Sequence, residues 1–141
     1  MPTPSEKIAT QIIDEMYNKD AFSQWLGIER LYENVGECKL RMTIREEMCN
    51  GFGIAHGGIT FSFADSAFAF ASNSQGRKAV SIETSISHTA ACKAGDVITA
   101  EAKEESLSNK IGIYMVTVKN QDKKVVALFK GTVYRTGESW L

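Results

Sequence analysis

One carboxylate lies where a chain of this kind ordinarily puts none. Asp65 falls inside the apolar run that opens with His56-Gly57-Gly58 and continues to Ala71, flanked by Phe61, Phe63, Ala64, Phe68 and Ala69. The 52–70 stretch holds five phenylalanines with alanine and serine between them, so a helix built from it has no polar face. A helix that is apolar all round is a buried one. This predicts one long helix over 56–72 at the centre of the fold, with the remaining elements arranged as a layer that covers it. An ionised carboxylate in such surroundings costs several kcal/mol unless it is paired or hydrogen-bonded. Buried, perturbed carboxylates concentrate at active sites, which makes Asp65 the first candidate catalytic residue; the competing reading is a partly exposed helix acid.

The flanking pattern is consistent with one covered helix. Ile8, Ile12, Ile13, Met16 and Tyr17 recur at helical spacing behind Ser5 as cap, which predicts an N-terminal helical extension within residues 1–24. Ile28, Leu31 and Val35, then Leu40, Met42 and Ile44, read as two strands meeting near Gly36. Asn50, Gly51 and Gly53 mark a loop before the long helix. After it come four extended runs, 78–88, 96–108, 111–120 and 124–135, separated by turn-forming segments. Alternation such as Tyr114/Val116/Val118 and Val126/Leu128 predicts an antiparallel meander with one covered face. The expectation is a single α+β domain over 1–141, a sheet wrapped round a buried helix.

Composition narrows the function. With 16 basic and 17 acidic residues the net charge is -1, which disfavours nucleic acid as a partner. No run reaches the roughly 18–20 apolar residues needed to span a bilayer, and the first residues lack a signal peptide's regions, so no membrane partner is expected. Cys38, Cys49 and Cys92 are odd in number and scattered, with no CxxC spacing; this fits a reducing cytoplasm and gives no zinc site. Two histidines, His56 and His88, make a metal centre a poor expectation.

The helix start supplies the second half of the chemistry. Glycines at Gly57 and Gly58 leave N–H groups bare, and the helix dipole adds about half a positive charge there. That combination suits an oxyanion hole, although glycines also serve simply to bring two backbones together, with His56 capping or packing. Gly57 and Asp65 are eight residues apart, about 12 Å along a helix axis. A carbonyl held at Gly57 is therefore out of reach of the same helix's Asp65. If both act on one substrate, Asp65 comes from a second copy, and the sequence predicts a homodimer with two composite sites. Asn50 either donates its amide to that site or holds its loop. Ser81 either orients water or occupies its strand. His88, with no identifiable partner, reads as a rim histidine. Cys49 has no base at a recognisable spacing, so no Cys–His or Ser–His–Asp arrangement can be assembled.

From Asn50 to Asp65 the residues resemble the N-x-x-G-x-x-HGG-x-x-F-x-x-A-D signature of hotdog-fold acyl-CoA thioesterases of the phenylacetic-acid-degradation (PaaI-like) branch, and the likeness extends over about residues 25–136. The resemblance implies a curled antiparallel sheet around a central helix, paired into dimers and commonly homotetramers. It implies Asp65 as nucleophile or general base, the Gly57 N–H as polariser of the thioester carbonyl, and Asn50 and His56 in support, with Ser81 assisting as in some members. No cofactor is implied, coenzyme A being part of the substrate. One departure stands out. Many members carry an aromatic followed by Arg-Pro after the first post-helix strand, near the coenzyme A phosphates. Here the stretch reads His88-Thr89-Ala90-Ala91-Cys92-Lys93, which leaves Lys93, Lys110 and Arg135 as phosphate-binding candidates by position. Gly58, Phe61 and Phe68 are the candidates for the acyl end. The expected reaction is hydrolysis of a small, aryl or hydroxyaryl acyl-CoA. The rivals are a non-catalytic acyl-CoA-binding protein and a hotdog-fold hydratase or dehydratase.

Overall fold

The computed structural model describes all 141 residues. Residues Pro4–Asn18 form helix α1 and Ala21–Leu26 a short helix α2. Strands β1 (Glu29–Asn34) and β2 (Glu37–Thr43) follow, then a 3-10 turn over Glu46–Met48 and the central helix α3 (Gly57–Asn73). Strands β3 (Arg77–His88), β4 (Val97–Leu107), β5 (Ile111–Lys119) and β6 (Val125–Ser139) complete the chain. The six strands form one antiparallel sheet in the order β1-β2-β4-β5-β6-β3.

Only β4-β5-β6 is a true meander. The strand that follows the helix, β3, does not pair with its sequence neighbours; it crosses to the far side of the sheet and pairs with β6 as an edge. The N-terminal region also differs from the single helix expected over 5–24. Thr3, not Ser5, caps α1, with Thr3 and Glu6 bonding reciprocally as a capping box. The helix then stops at Asn18, and Asp20 caps α2 by accepting from the Ser23 N–H at 2.9 Å. On β6 the inward set is Ala127, Phe129 and Val133, while Leu128 points out. The pairing slips between Val118 and Lys119, so Val126 and Ala127 are both buried and the Val126/Leu128 alternation does not hold.

The core is α3 pressed into the concave face of the sheet. Phe63, Phe68 and Phe70 are fully buried on the helix; Tyr114, Val116, Val118, Phe129 and Val133 oppose them from the strands. Phe68 lies 5.6 Å from Phe129 and 6.1 Å from Tyr114, centroid to centroid. The close approach depends on Gly131, where a Cβ would stand 2.5 Å from the Phe68 ring. The C-terminal end of α3 is pinned by Asn73, which donates to the Ala69 carbonyl and accepts from the Ala79 N–H and the Trp140 indole. The helix is nevertheless not covered all round. Gly58, Phe61, Ser62, Asp65 and Ala69 remain at least partly exposed, and their spacing of three and four residues places them in one stripe along one side.

Candidate active site

The N-terminal end of α3 opens into a cleft of about 370 Å³ lined by Asn50, Ile54, Ala55, Gly57, Thr60, His88 and the segment Thr89–Cys92. His56 caps the helix, its Nδ1 accepting from the Gly58 N–H at 2.9 Å. Gly57 is the first helical residue, so its N–H has no intrahelical acceptor, and no other group of the chain takes it up. One bare donor therefore faces the cleft at the positive end of a 17-residue helix. Asn50 holds its loop, its Oδ1 accepting from the Phe52 and Ile54 N–H groups at 2.9 and 3.4 Å, and it lines the cleft with its amide nitrogen making no hydrogen bond in the chain.

Two turns along α3, Asp65 makes no hydrogen bond or ion pair within the chain. Burial, reinforced by the negative charge of Asp20, raises its carboxyl above the ordinary aspartate range. The neighbouring contacts are specific. Ser23 donates to Asp20 Oδ2 at 2.6 Å, and Ser66, the residue after Asp65, lies 2.8 Å from Ser23 Oγ. With the Ser23 proton committed to Asp20, Ser66 is the donor in that second bond, which ties α2 to α3 beside the carboxylate. Asp65 does not line the Gly57 cleft of its own chain.

Other expected site residues are dispersed, for physical reasons. Phe68 is a core ring with 1% exposure, held over Gly131, and so faces no ligand. Phe61 is partly exposed and packs edge-on against Phe129 at 5.6 Å. Ser81 is exposed on the edge strand β3, beside Val80 and Ile82, and lies outside the cleft. Lys93 follows the cleft segment directly, its N–H donating to Asp96 at 2.9 Å. Lys110 and Arg135 sit elsewhere: the Arg135 N–H donates to the Lys110 carbonyl at 2.7 Å and its guanidinium to the Ser108 carbonyl at 2.6 Å. Both lie beyond the far end of β4 from Lys93, about 30 Å away along an extended strand. The three cations do not converge in one chain.

His88 is exposed, as a surface or rim histidine is expected to be, but it is not unpartnered: it lines the cleft with Nε2 2.8 Å from Thr60 Oγ1 and its ring against Gly57. Spacing alone does not place it there: a strand that turns back at the end of a 17-residue helix, about 25 Å long, regains the helix start after about eight residues, near Thr84, whereas His88 ends a twelve-residue strand.

The thioesterase superfamily model matches residues 52–127, which span the loop, α3 and the sheet through the start of β6. The chain belongs to this family. It is a thioester hydrolase with the hotdog fold. The enzyme is 40% identical to the acyl-coenzyme A thioesterase PaaI of Escherichia coli over 92% of each chain. The structure of that protein, from the phenylacetic acid degradation operon, superposes with a TM-score of 0.94, covering 96% of this chain and 98% of the other. A putative esterase of Archaeoglobus fulgidus is 42% identical over 95% of the thioesterase chain and 87% of its own. A Streptococcus mutans protein solved with acetyl CoA is 27% identical, with a TM-score of 0.77 over 79% of this chain and 90% of that one.

Proposed function

We propose that the enzyme hydrolyses acyl-CoA thioesters carrying small, aryl or hydroxyaryl acyl groups, in two composite sites at the interface of a homodimer that pairs further into a homotetramer. The observation that carries this reading is the separation of two unsatisfied groups on one helix. The Gly57 N–H has no acceptor, and Asp65, about 12 Å further along, has no partner. The stripe bearing Asp65 is the side of α3 that the chain's own sheet leaves uncovered. The edge of the sheet at β3 is equally unfinished, with Val80 and Ile82 more than half exposed. A second copy packed antiparallel on that side covers both and brings its Asp65 to the first copy's Gly57.

In such a site the thioester carbonyl oxygen accepts the Gly57 N–H, and charge developing on it is stabilised by the helix dipole. The partner's Asp65 either attacks the carbonyl carbon, giving an anhydride that water then hydrolyses, or takes a proton from the attacking water. In either case the carbon–sulfur bond breaks with its electron pair on sulfur. A thiol pKa of about 8.5 lets the thiolate depart without a strong general acid, so one carboxylate suffices. Asn50 adds an amide donor, His56 holds the helix start, and Gly58 and Phe61 border the acyl group. Of the three candidate cations Lys93 is the one beside the cleft, so we assign the coenzyme A phosphates to it, the stretch His88–Lys93 holding no Arg-Pro. Support for coenzyme A as carrier comes from the E. coli relative's activity and the acetyl CoA bound to the S. mutans protein.

The test is free-thiol release from acetyl-, butyryl-, benzoyl- and phenylacetyl-CoA by wild type and Asp65→Asn. Turnover by wild type that Asp65→Asn loses, with binding retained, is the expected result. Binding without release by either protein would establish the acyl-CoA-binding reading instead, and water addition to a 2-enoyl-CoA included in the panel, without thiol release, the hydratase one.

A further inference from the structure

The cleft wall carries an unused acceptor as well as an unused donor. Thr60 Oγ1 lies 3.2 Å from the Gly57 carbonyl, which can only accept, so the hydroxyl's one proton goes there. The 2.8 Å contact between Thr60 Oγ1 and His88 Nε2 therefore takes its proton from the ring, and His88 stands as the Nε2–H tautomer. Nδ1 is left with a lone pair and no donor from the chain. It stands close to the reacting position: a Cβ built on Gly57 would lie 3.3 Å from His88 Cε1 and 4.0 Å from Nδ1. His88 is exposed and lines the same cleft as the bare Gly57 N–H.

The thiol side of the substrate brings one donor within that range. Beyond the sulfur of an acyl-CoA come two methylenes and an amide N–H, about 4–5 Å from the thioester carbon at ordinary bond lengths. With the carbonyl oxygen on the Gly57 N–H and the phosphates at Lys93, the arm between them runs along His88–Lys93, where Ala90 and Ala91 line the cleft with side chains too short to obstruct it. His88 is the first residue on that path. We propose, resting on the thioesterase reading above, that His88 is a specificity residue for the leaving group: its Nδ1 accepts the first amide N–H of the pantetheine arm, so the enzyme selects thioesters of a cysteamine amide over those of other thiols. Thr60 is the positioning residue, its oxygen holding the Nε2–H and so keeping the lone pair on Nδ1. The imidazole stays neutral throughout, and the contact adds no proton transfer to the hydrolysis.

The test pairs two small thioesters of the fastest acyl group in the panel, one of N-acetylcysteamine and one of 2-mercaptoethyl acetate, in which an ester oxygen replaces the amide N–H. Their kcat/KM values, each normalised to hydroxide hydrolysis, are compared for wild type, His88→Gln and His88→Asn. Glutamine keeps an N–H near Nε2 for Thr60 and has no acceptor at Nδ1; asparagine puts an oxygen near Nδ1. Wild type should prefer the amide thioester about three- to tenfold, the worth of one hydrogen bond exchanged with water. His88→Gln should abolish that preference and His88→Asn should keep part of it. In 15N NMR of the intact protein the His88 proton should be found on Nε2, and coenzyme A should shift the Nδ1 resonance. No amide preference in wild type, a preference unchanged in His88→Gln or lost alike in both variants, a fall in kcat equal for the two thioesters, or a proton on Nδ1 would each overturn the proposal while leaving the thioesterase reading standing. Hydrolysis of the acyl-CoA with none of the N-acetylcysteamine thioester would do the same, since recognition would then lie beyond His88. Absence of thiol release by wild type from every acyl-CoA would instead overturn the thioesterase reading, and the role of His88 with it.

Discussion

Replacing Gly57 by proline deletes one hydrogen-bond donor and adds a ring, its Cβ against His88 and its Cδ in place of the N–H hydrogen. Gly57 is the first residue of α3, where proline is favoured because the missing N–H forms no intrahelical bond. The preceding residue, His56, has φ −59° and ψ 137°, the extended conformation that a following proline requires. The added Cβ would come within 3.3 Å of His88 Cε1, and Gly57→Ala carries the same Cβ with the N–H retained, so alanine controls for that contact, and an unchanged KM controls for the ring's Cδ at the cleft. If the N–H stabilises the oxyanion, Gly57→Pro should lose about 10²–10³ in kcat relative to Gly57→Ala, or about 2.7–4 kcal/mol of transition-state stabilisation. The same variant tests whether the site is composite. Gly57→Pro and Asp65→Asn are co-expressed with different tags and the mixed dimer is isolated, then assayed for thiol release. In trans geometry each mixed dimer has one intact site and one with both lesions, so random pairing restores about a quarter of wild-type activity to the whole pool. In cis geometry every site carries a lesion and nothing returns. Equal kcat for the proline and alanine variants would refute the oxyanion role, and an inactive mixed dimer would refute the assignment of Asp65 to the opposite subunit.

Asp65 should cost the fold stability at neutral pH. Its folded pKa lies above the unfolded one, so the native chain holds the proton more tightly and stability falls as pH rises through the window that opens at the unfolded value of about 3.9. Asp65→Asn should therefore show a Tm advantage over wild type that is absent below that window, grows across it and then levels; a pH-independent difference would contradict the assignment. Asp20→Asn keeps the oxygen that caps α2 but removes a charge that raises the Asp65 carboxyl, so the acidic limb of kcat/KM should move to lower pH, as a pH–rate series would record. Gly131→Ala should destabilise by about 1–3 kcal/mol in urea titration, because the new methyl meets the Phe68 ring in a core with no room to yield.

Local sequence carried a good deal of this protein. The rings and small residues around Asp65 announced a buried central helix, and α3 runs from Gly57 to Asn73 with His56 as its cap. The four later strands fall within a few residues of their expected ends, because alternation and turn chemistry are written in neighbouring positions. Errors arose where neighbours do not decide. The bulge at Val125–Val126 inverted the inward face at the start of β6, since a single unpaired residue shifts every side chain after it. Phe61 and Phe68 look alike in sequence, yet one is half-covered and the other sealed over Gly131, a glycine more than sixty residues later.

The candidate site divides along the same line. The bare N–H at Gly57 and the distance to Asp65 follow from helix geometry alone, which depends only on residue spacing, and so the sequence by itself determined that the two groups cannot serve one substrate from one helix. Which side of α3 stays open, where β3 ends, and which histidine meets the glycines were decided only by the tertiary structure. The crossing of β3 to the edge beside β6 returns His88 to the helix start and leaves Lys110 and Arg135 at the other end of the sheet. Strand order is a long-range choice, set by how the sheet closes over the helix as a whole, and no window of neighbouring residues encodes it.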